Sequence, residues 1–411
     1  MTKVPAGKWL GINVVLWGIA TACTAAATDY TTLLVARIFL GICEAPVVPT
    51  LTLVSSQWYT KSEQGPRFAF WYCGLGIGQI VGGLLSFAFQ HVTSLTFQSW
   101  RMMFVVLGCV TVVLGFTTFF LIPDSPLTAR FLSEDEKATI TRHVAQETTG
   151  AVGSGFKPKQ LVDALTDLQL LLLCLMTILV CLHDSLADLT VLMFAQPSIS
   201  SGVVTTYSAT LIRNFGYTPK IAALLNIPSG AVSVASTLAV GYGSRKTSHR
   251  WAWFVATCIP GIIGGALMSF LPQTNQAGLL AGIYMVNFIV PTVMIAYQFA
   301  AANTSGRTKR AFSTTLMAFS FGVGNIIGPQ TFRAHEAPRY ISAKATILGV
   351  NGSAVILTVL LRLLYGYRNR ESIKLREARL EALSRGELSM QDLVEEEDMS
   401  DLTDPTFVYV Y

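Results

Sequence analysis

The chain has 411 residues, of which 52% are hydrophobic and only 13% charged, with a formal net charge of +5, whereas soluble domains carry about 25% charged residues. A large water-soluble core is therefore excluded. The basic residues concentrate in alternate loops, so the charge reads as a topology signal, and nucleic acid is not an expected partner.

A hydrocarbon layer about 30 Å thick takes roughly 20 apolar residues to cross, and lipid offers the backbone no hydrogen-bond partners, so each crossing must be helical. Ten stretches meet this requirement: 9–28, 32–55, 67–90, 102–122, 166–182, 220–240, 251–271, 278–300, 311–329 and 344–366. The pattern predicts an all-α integral membrane protein seated in a lipid bilayer. Its start, MTKVPAGKWLGINVV, runs directly into the first span without a small-residue cleavage site. Basic residues gather at Lys3 and Lys8, at Lys61 and Arg67, between Arg130 and Lys159, at Arg245, Lys246 and Arg250, and at Arg307, Lys309 and Arg310. The positive-inside rule then places both ends of the chain in the cytoplasm.

Organisation follows from the loops. Residues 1–122 form an N-terminal helical bundle, 123–165 a central cytoplasmic loop, 166–366 a six-helix C-terminal bundle and 367–411 a cytoplasmic tail. The central loop contains SEDEKATITRHVAQETTG, an amphipathic helix by pattern. His183, Asp184 and Asp188 interrupt an otherwise hydrophobic run, which marks 183–202 as an insertion or, alternatively, a long extramembrane or re-entrant element. The tail ends in an acidic run and then DLTDPTFVYVY, which reads as a helical and then solvated segment serving trafficking or turnover.

Polar residues inside spans are functional candidates by default. The second span contains ARIFLGICEAPVVPT, and the seven residues from Arg37 to Glu44 are almost two helical turns, which puts both on one face. Arg37 suits an anion anchor and Glu44 a proton-carrying carboxylate; a structural ion-pair network fits the same pattern. Gly74, Gly78, Gly82 and Gly83 in GLGIGQIVGG form a small-residue face for close helix packing. The loop GYGSRKTSHR, with Arg245 and Arg250, and the hinge around Asn303, Lys309 and Arg310 carry clustered charge suited to a gate or to plain topological anchoring. Asn325 either lines a pathway or bonds between helices, and Asn226, Asn287 and Asn351 raise the same question. The seven cysteines lie in apolar runs without ligand spacing, so neither metal nor other cofactor is expected, and no catalytic set of an enzyme is present.

The stretches RIFLGICEAPVVP, SSQWYTKSEQGPRFAFWYCGLGIGQIVGG and NTSGRTKRAF, together with GVGNIIGPQTFRAHEAPRY, resemble the fungal allantoate-permease-like group of the anion:cation symporter family, within the major facilitator superfamily. The resemblance implies a two-bundle, major-facilitator-type fold of twelve helices working by alternating access. Its cargo would be a small organic anion, such as allantoate, ureidosuccinate or a vitamin acid, taken up with protons by a plasma-membrane monomer. It assigns Arg37 to anion recognition and Glu44 to proton coupling. Two departures stand out. The chain starts at the loop before the family's third helix, and Ser244 stands where the superfamily usually has Asp. The alternative reading is a non-transporting remnant or a nutrient-sensing binder.

Overall fold

The computed structural model describes residues 5–92, 98–147, 167, 208–247, 249–272, 274–304, 307–330, 341–385 and 408–409. Every regular element among them is helical. By compactness the chain divides into two units, Met1–Gln64 with Val81–Thr148, and Gly65–Ile80 with Thr149–Tyr411.

The first unit is built on α1 (Ala6–Thr24) and α5 (Ser99–Leu121), with α2 (Tyr30–Glu44), α3 (Val47–Trp58), the ends of α4 (Lys61–Phe89) and α6 (Glu134–Glu147) around them. In lipid, helices gain little from burying apolar side chains against each other, so close backbone approach must hold them together. Glycines supply it here. A Cβ at Gly18 would stand 2.6 Å from the Val112 nitrogen, one at Gly108 2.6 Å from the Ala22 nitrogen, and one at Gly115 2.6 Å from the Val15 nitrogen. The antiparallel seam is closed by charge at both ends of α1. Asp124 Oδ1 accepts the Gly7 and Lys8 N–H groups at 3.0 and 3.2 Å, meeting the unpaired donors and positive dipole of the helix start. Beyond the other end of α1, Arg101 Nη2 donates to the Ala27 carbonyl at 2.9 Å.

The amphipathic segment of the central loop is helical, as its pattern predicts. Ser133 and Glu136 cap α6 reciprocally, the Ser133 N–H donating to Glu136 Oε2 at 2.9 Å. That bond, with the Ser133 hydroxyl, holds the Glu136 carboxyl below its ordinary pKa. The helix is tied to the bundle by His143 Nε2, 3.3 Å from Glu63 Oε1, while Trp58 stacks on Phe131 at its entry. Burial pulls the Glu63 pKa upward, but hydrogen bonds from Thr60 and the contact with His143 outweigh it and leave the carboxyl below its usual value.

The second unit contains Gly65–Ile80 of α4, α7 (Pro219–Leu225), α8 (Ile227–Thr247), α9 (Arg250–Phe270), α10 (Gln276–Val286), α11 (Val290–Ala302), α12 (Arg307–Gln330) and α13 (Ile341–Ser384). At one end its core gathers Leu211, Ile212, Phe215, Met268, Leu279, Ile283, Val286, Ile347 and Val350. Gly216 turns the chain there at φ +98°, a conformation only glycine adopts without strain, and Gln276 Nε2 donates to the neighbouring Phe215 carbonyl at 2.7 Å. The close approach of α4 to α8 falls at Gly76, whose Cβ would lie 2.7 Å from the Gly230 carbonyl. The face expected to do this, Gly74, Gly78 and Gly82, has no described atom within 4 Å of its Cβ positions, while Gly83 is buried. At 44 residues α13 is roughly 66 Å long, so the last span and the first part of the tail are one continuous helix.

Among the described residues eight helices are long and apolar enough to cross a membrane, and they coincide with eight of the ten expected spans. The expected span at 311–329 lies within α12. The span at 166–182, apart from Asp167, and the proposed insertion at 183–202 lie outside the described residues. The glycine seam gives a direct test by thermal unfolding in detergent. Gly18→Ala should cost about 1–3 kcal/mol through overpacking. Gly41→Ala, with no described atom within 4 Å, should shift stability by no more than about 1 kcal/mol, toward greater stability.

Candidate functional site

Three of the membrane-length stretches are interrupted: Pro219–Thr247 near its start, at Asn226 between α7 and α8, and two others near their middle. Tyr30–Ser55 breaks between α2 and α3 at Ala45 and Pro46, immediately after Glu44. Gln276–Ala300 breaks between α10 and α11, where Asn287–Ile289 form a single 3₁₀ turn ahead of Pro291. Proline explains both of these mid-stretch interruptions, because it lacks the N–H that would continue the helical ladder. At the second break the Asn287 carbonyl takes the Val290 N–H instead. Both breaks lie near the middle of their stretch, and in sequence order each is the third span before a long polar segment. Proline-interrupted spans at matching positions of two halves are where transporters hold their cargo.

In the first unit, Arg37 and Glu44 are both exposed on α2, a helix that buries none of its residues. The Arg37 guanidinium carbon lies 5.1 Å from the centre of the Phe104 ring, a cation–π contact from α5. Neither Arg37 nor Glu44 makes a hydrogen bond or ion pair with another described residue, so the ion-pair network that fits the sequence is not formed among them. A guanidinium and a carboxylate thus share one face of a broken span with no ion-pair partner among the described residues.

In the second unit the break is lined by amide and hydroxyl groups. Asn287 is 1% exposed; its Nδ2 donates to the Ile283 carbonyl at 2.9 Å. Ser233 Oγ lies 3.4 Å from Asn287 Oδ1 and 3.0 Å from the Ser229 carbonyl. Ser229, Ser233 and Thr237 recur every four residues on one buried face of α8, and the Ser229 and Thr237 hydroxyls have no hydrogen-bond partner among the described residues. Buried hydroxyls are normally paired, so unpaired ones beside a mid-span break stand out. The spacing is visible in IPSGAVSVASTLAV, but serine in a span reads from sequence as a packing residue. Asn325 donates to the Phe321 carbonyl of its own helix at 2.9 Å. Asn351 does the same to Ile347, and Asn226 accepts a long 3.5 Å contact from Gln79.

The charged segments expected to form gating loops are mostly helix. Gly241–Thr247 are the last two turns of α8, because Gly241 admits the Ala69 side chain and Gly243 the Trp253 ring, so the glycines serve contact rather than a turn. Arg245 is exposed in the final turn, and Arg250 Nη1 donates to the Gln298 carbonyl at 3.4 Å. Lys309 and Arg310 belong to the first turn of α12; the Arg310 side chain lies outside the described residues. Lys309 is wholly buried, with Nζ 2.8 Å from Asp167 Oδ2. Asp167 Oδ1 also accepts from Arg368 on α13 at 3.2 Å. Sequence reading missed Asp167 and Arg368, since nothing local links a carboxylate to cations 142 and 201 residues away.

Residues 1–329 match the model of the Major Facilitator Superfamily. The chain belongs to that superfamily. It is 33% identical over 409 residues to the thiamine pathway transporter THI73 of Saccharomyces cerevisiae, covering 100% of this chain and 73% of the relative. It is 27% identical over 413 residues to the allantoate permease of the same yeast, covering 98% and 72%. Among solved structures, the proton:xylose symporter XylE superposes with a TM-score of 0.62 at 12% identity, covering 88% of this chain and 79% of that one, which bears on the fold alone. The chain is a multi-pass membrane protein of the superfamily's helical fold, and its relatives are membrane transporters. Charge burial at its α12 end is open to a double-mutant test. Asp167→Leu should destabilise the purified protein by about 3–5 kcal/mol by taking the carboxylate from the wholly buried Lys309 ammonium, and adding Lys309→Met should recover most of that loss in the same thermal assay.

Proposed function

We propose that this chain carries a small organic anion, a carboxylate such as allantoate, ureidosuccinate or a vitamin acid, in symport with protons by alternating access. The observation that carries this reading is the pair on α2, Arg37 and Glu44, beside a proline break near mid-span. Arg37 presents a planar, permanently charged donor set suited to a carboxylate. Glu44 is a titratable group where protonation removes the cost of a charge in a low-dielectric layer. Asn287 and Ser233, with Asn325, are assigned to polar contacts with the cargo in the second unit. Arg245, Arg250, Lys309 and Arg310 are assigned to the gate. The relatives' names point to different cargoes, the thiamine pathway and allantoate; a guanidinium in the span with no ion-pair partner among the described residues favours the anion. Work comes from the proton gradient, and no covalent step is involved. Monomers in the plasma membrane, with the C-terminus in the cytoplasm, complete the reading.

The test is uptake of labelled carboxylates by cells expressing the chain. Arg37→Ala should cut anion uptake by at least about tenfold, the loss of one charge-assisted contact, with the amount of protein in the membrane unchanged. Wild-type uptake by the Arg37→Ala protein would contradict the assignment.

A further inference from the structure

The end of the chain is built into the charged cluster of the second unit. Asp167 faces two cations, Lys309 and Arg368. Tyr409 covers the cluster. The Arg368 guanidinium carbon lies 5.4 Å from the centre of the Tyr409 ring, and Arg368 Nη1 donates to the Tyr409 hydroxyl at 3.3 Å. The ring also meets Tyr365, with centroids 5.3 Å apart and planes 9° from parallel. The backbone is gripped independently: the Tyr409 N–H donates to Asn369 Oδ1 at 2.7 Å, and Asn369 Nδ2 donates to the Tyr409 carbonyl at 2.8 Å. This is the bonding of one rung of a β-ladder, made by a side-chain amide. It requires an extended segment, and the ring contacts require an aromatic at that position. Tyr409 is 4% exposed and Asn369 2%.

A solvated tail does not bury its tyrosine and complete a helix-borne amide. We propose that Tyr409 is an intramolecular latch on the Asp167–Lys309–Arg368 cluster. Seated, it braces the ion pairs that join the start of α12 to the far part of α13. Released, it uncovers the Tyr365 ring, strips the Asn369 amide of both bonds and opens Arg368 to water. Because alternating access requires bundle ends to loosen and re-form, the latch sets how readily this end yields; that consequence rests on the transport reading, whereas the latch itself does not.

Hydrogen–deuterium exchange on the full-length protein tests it, following residues 307–314 and 362–372 in wild type, Tyr409→Ala and Tyr409→Phe. Tyr409→Ala should speed exchange in both segments by about tenfold or more, as expected when a local closing contact is lost. Tyr409→Phe keeps the ring stack and the backbone grip and should stay within about threefold of wild type. A chain truncated before residue 408 should behave like Tyr409→Ala and regain protection when the peptide of residues 401–411 is added, but not with the same peptide carrying Tyr409→Ala. Unchanged exchange in both segments of Tyr409→Ala overturns the latch, and so does a truncated chain that the wild-type peptide fails to protect. If the truncated chain does not accumulate, the point variants decide alone. Uptake is measured in parallel: faster exchange with an unaltered uptake rate overturns the regulatory consequence, while absence of uptake in wild type counts against the transport reading and leaves the exchange result to judge the latch.

Discussion

A lipid interior provides no partner for a backbone N–H, a carbonyl or a charge, and every feature of this chain that departs from a straight apolar helix has to be reconciled with that. Most of the molecule complies. Glycines at Gly11, Gly18, Gly108 and Gly115 let α1 and α5 touch backbone to backbone, and Gly76 with Gly230 does the same between α4 and α8. Charges at helix ends are spent on the ends themselves, Asp124 on the start of α1 and Arg101 on the carbonyl of Ala27 beyond its finish. Against that background the proline breaks after Glu44 and at Asn287 interrupt their spans near the middle, which is why they are the places to look for cargo.

The two units handle polarity differently. The first brings formal charge, Arg37 and Glu44, on a helix that buries none of its residues. The second brings neutral hydroxyl and amide groups on the buried face of α8 and at the Asn287 turn, and buries an ion pair at the start of α12. In the proposed function a fixed cation and a titratable carboxylate serve the anion and the proton.

Span positions were legible because membrane thickness dictates their length, and Arg37 and Glu44 because charge in an apolar run is conspicuous. The prolines at 46 and 291 were equally visible, yet a proline in a span can kink, cap or break it, and only the geometry distinguishes these outcomes. Reading GYGSRKTSHR as a loop failed because glycine serves both turns and close contacts, and Gly243 lies against the Trp253 ring. Gly76 was hidden among its neighbours in GLGIGQIVGG, since the face of a helix that meets another depends on a partner 154 residues away in sequence. Asp167, Arg368 and Tyr409 escaped for the same reason: long-range pairing leaves no local trace.

The account's central claim is that the carboxylate at the α2 break couples cargo movement to protons. In proteoliposomes with an imposed inward proton gradient, the wild-type protein should accumulate a labelled carboxylate above its external concentration, whereas Glu44→Gln should let it equilibrate without accumulating. Gradient-driven accumulation by the Glu44→Gln protein would contradict the account.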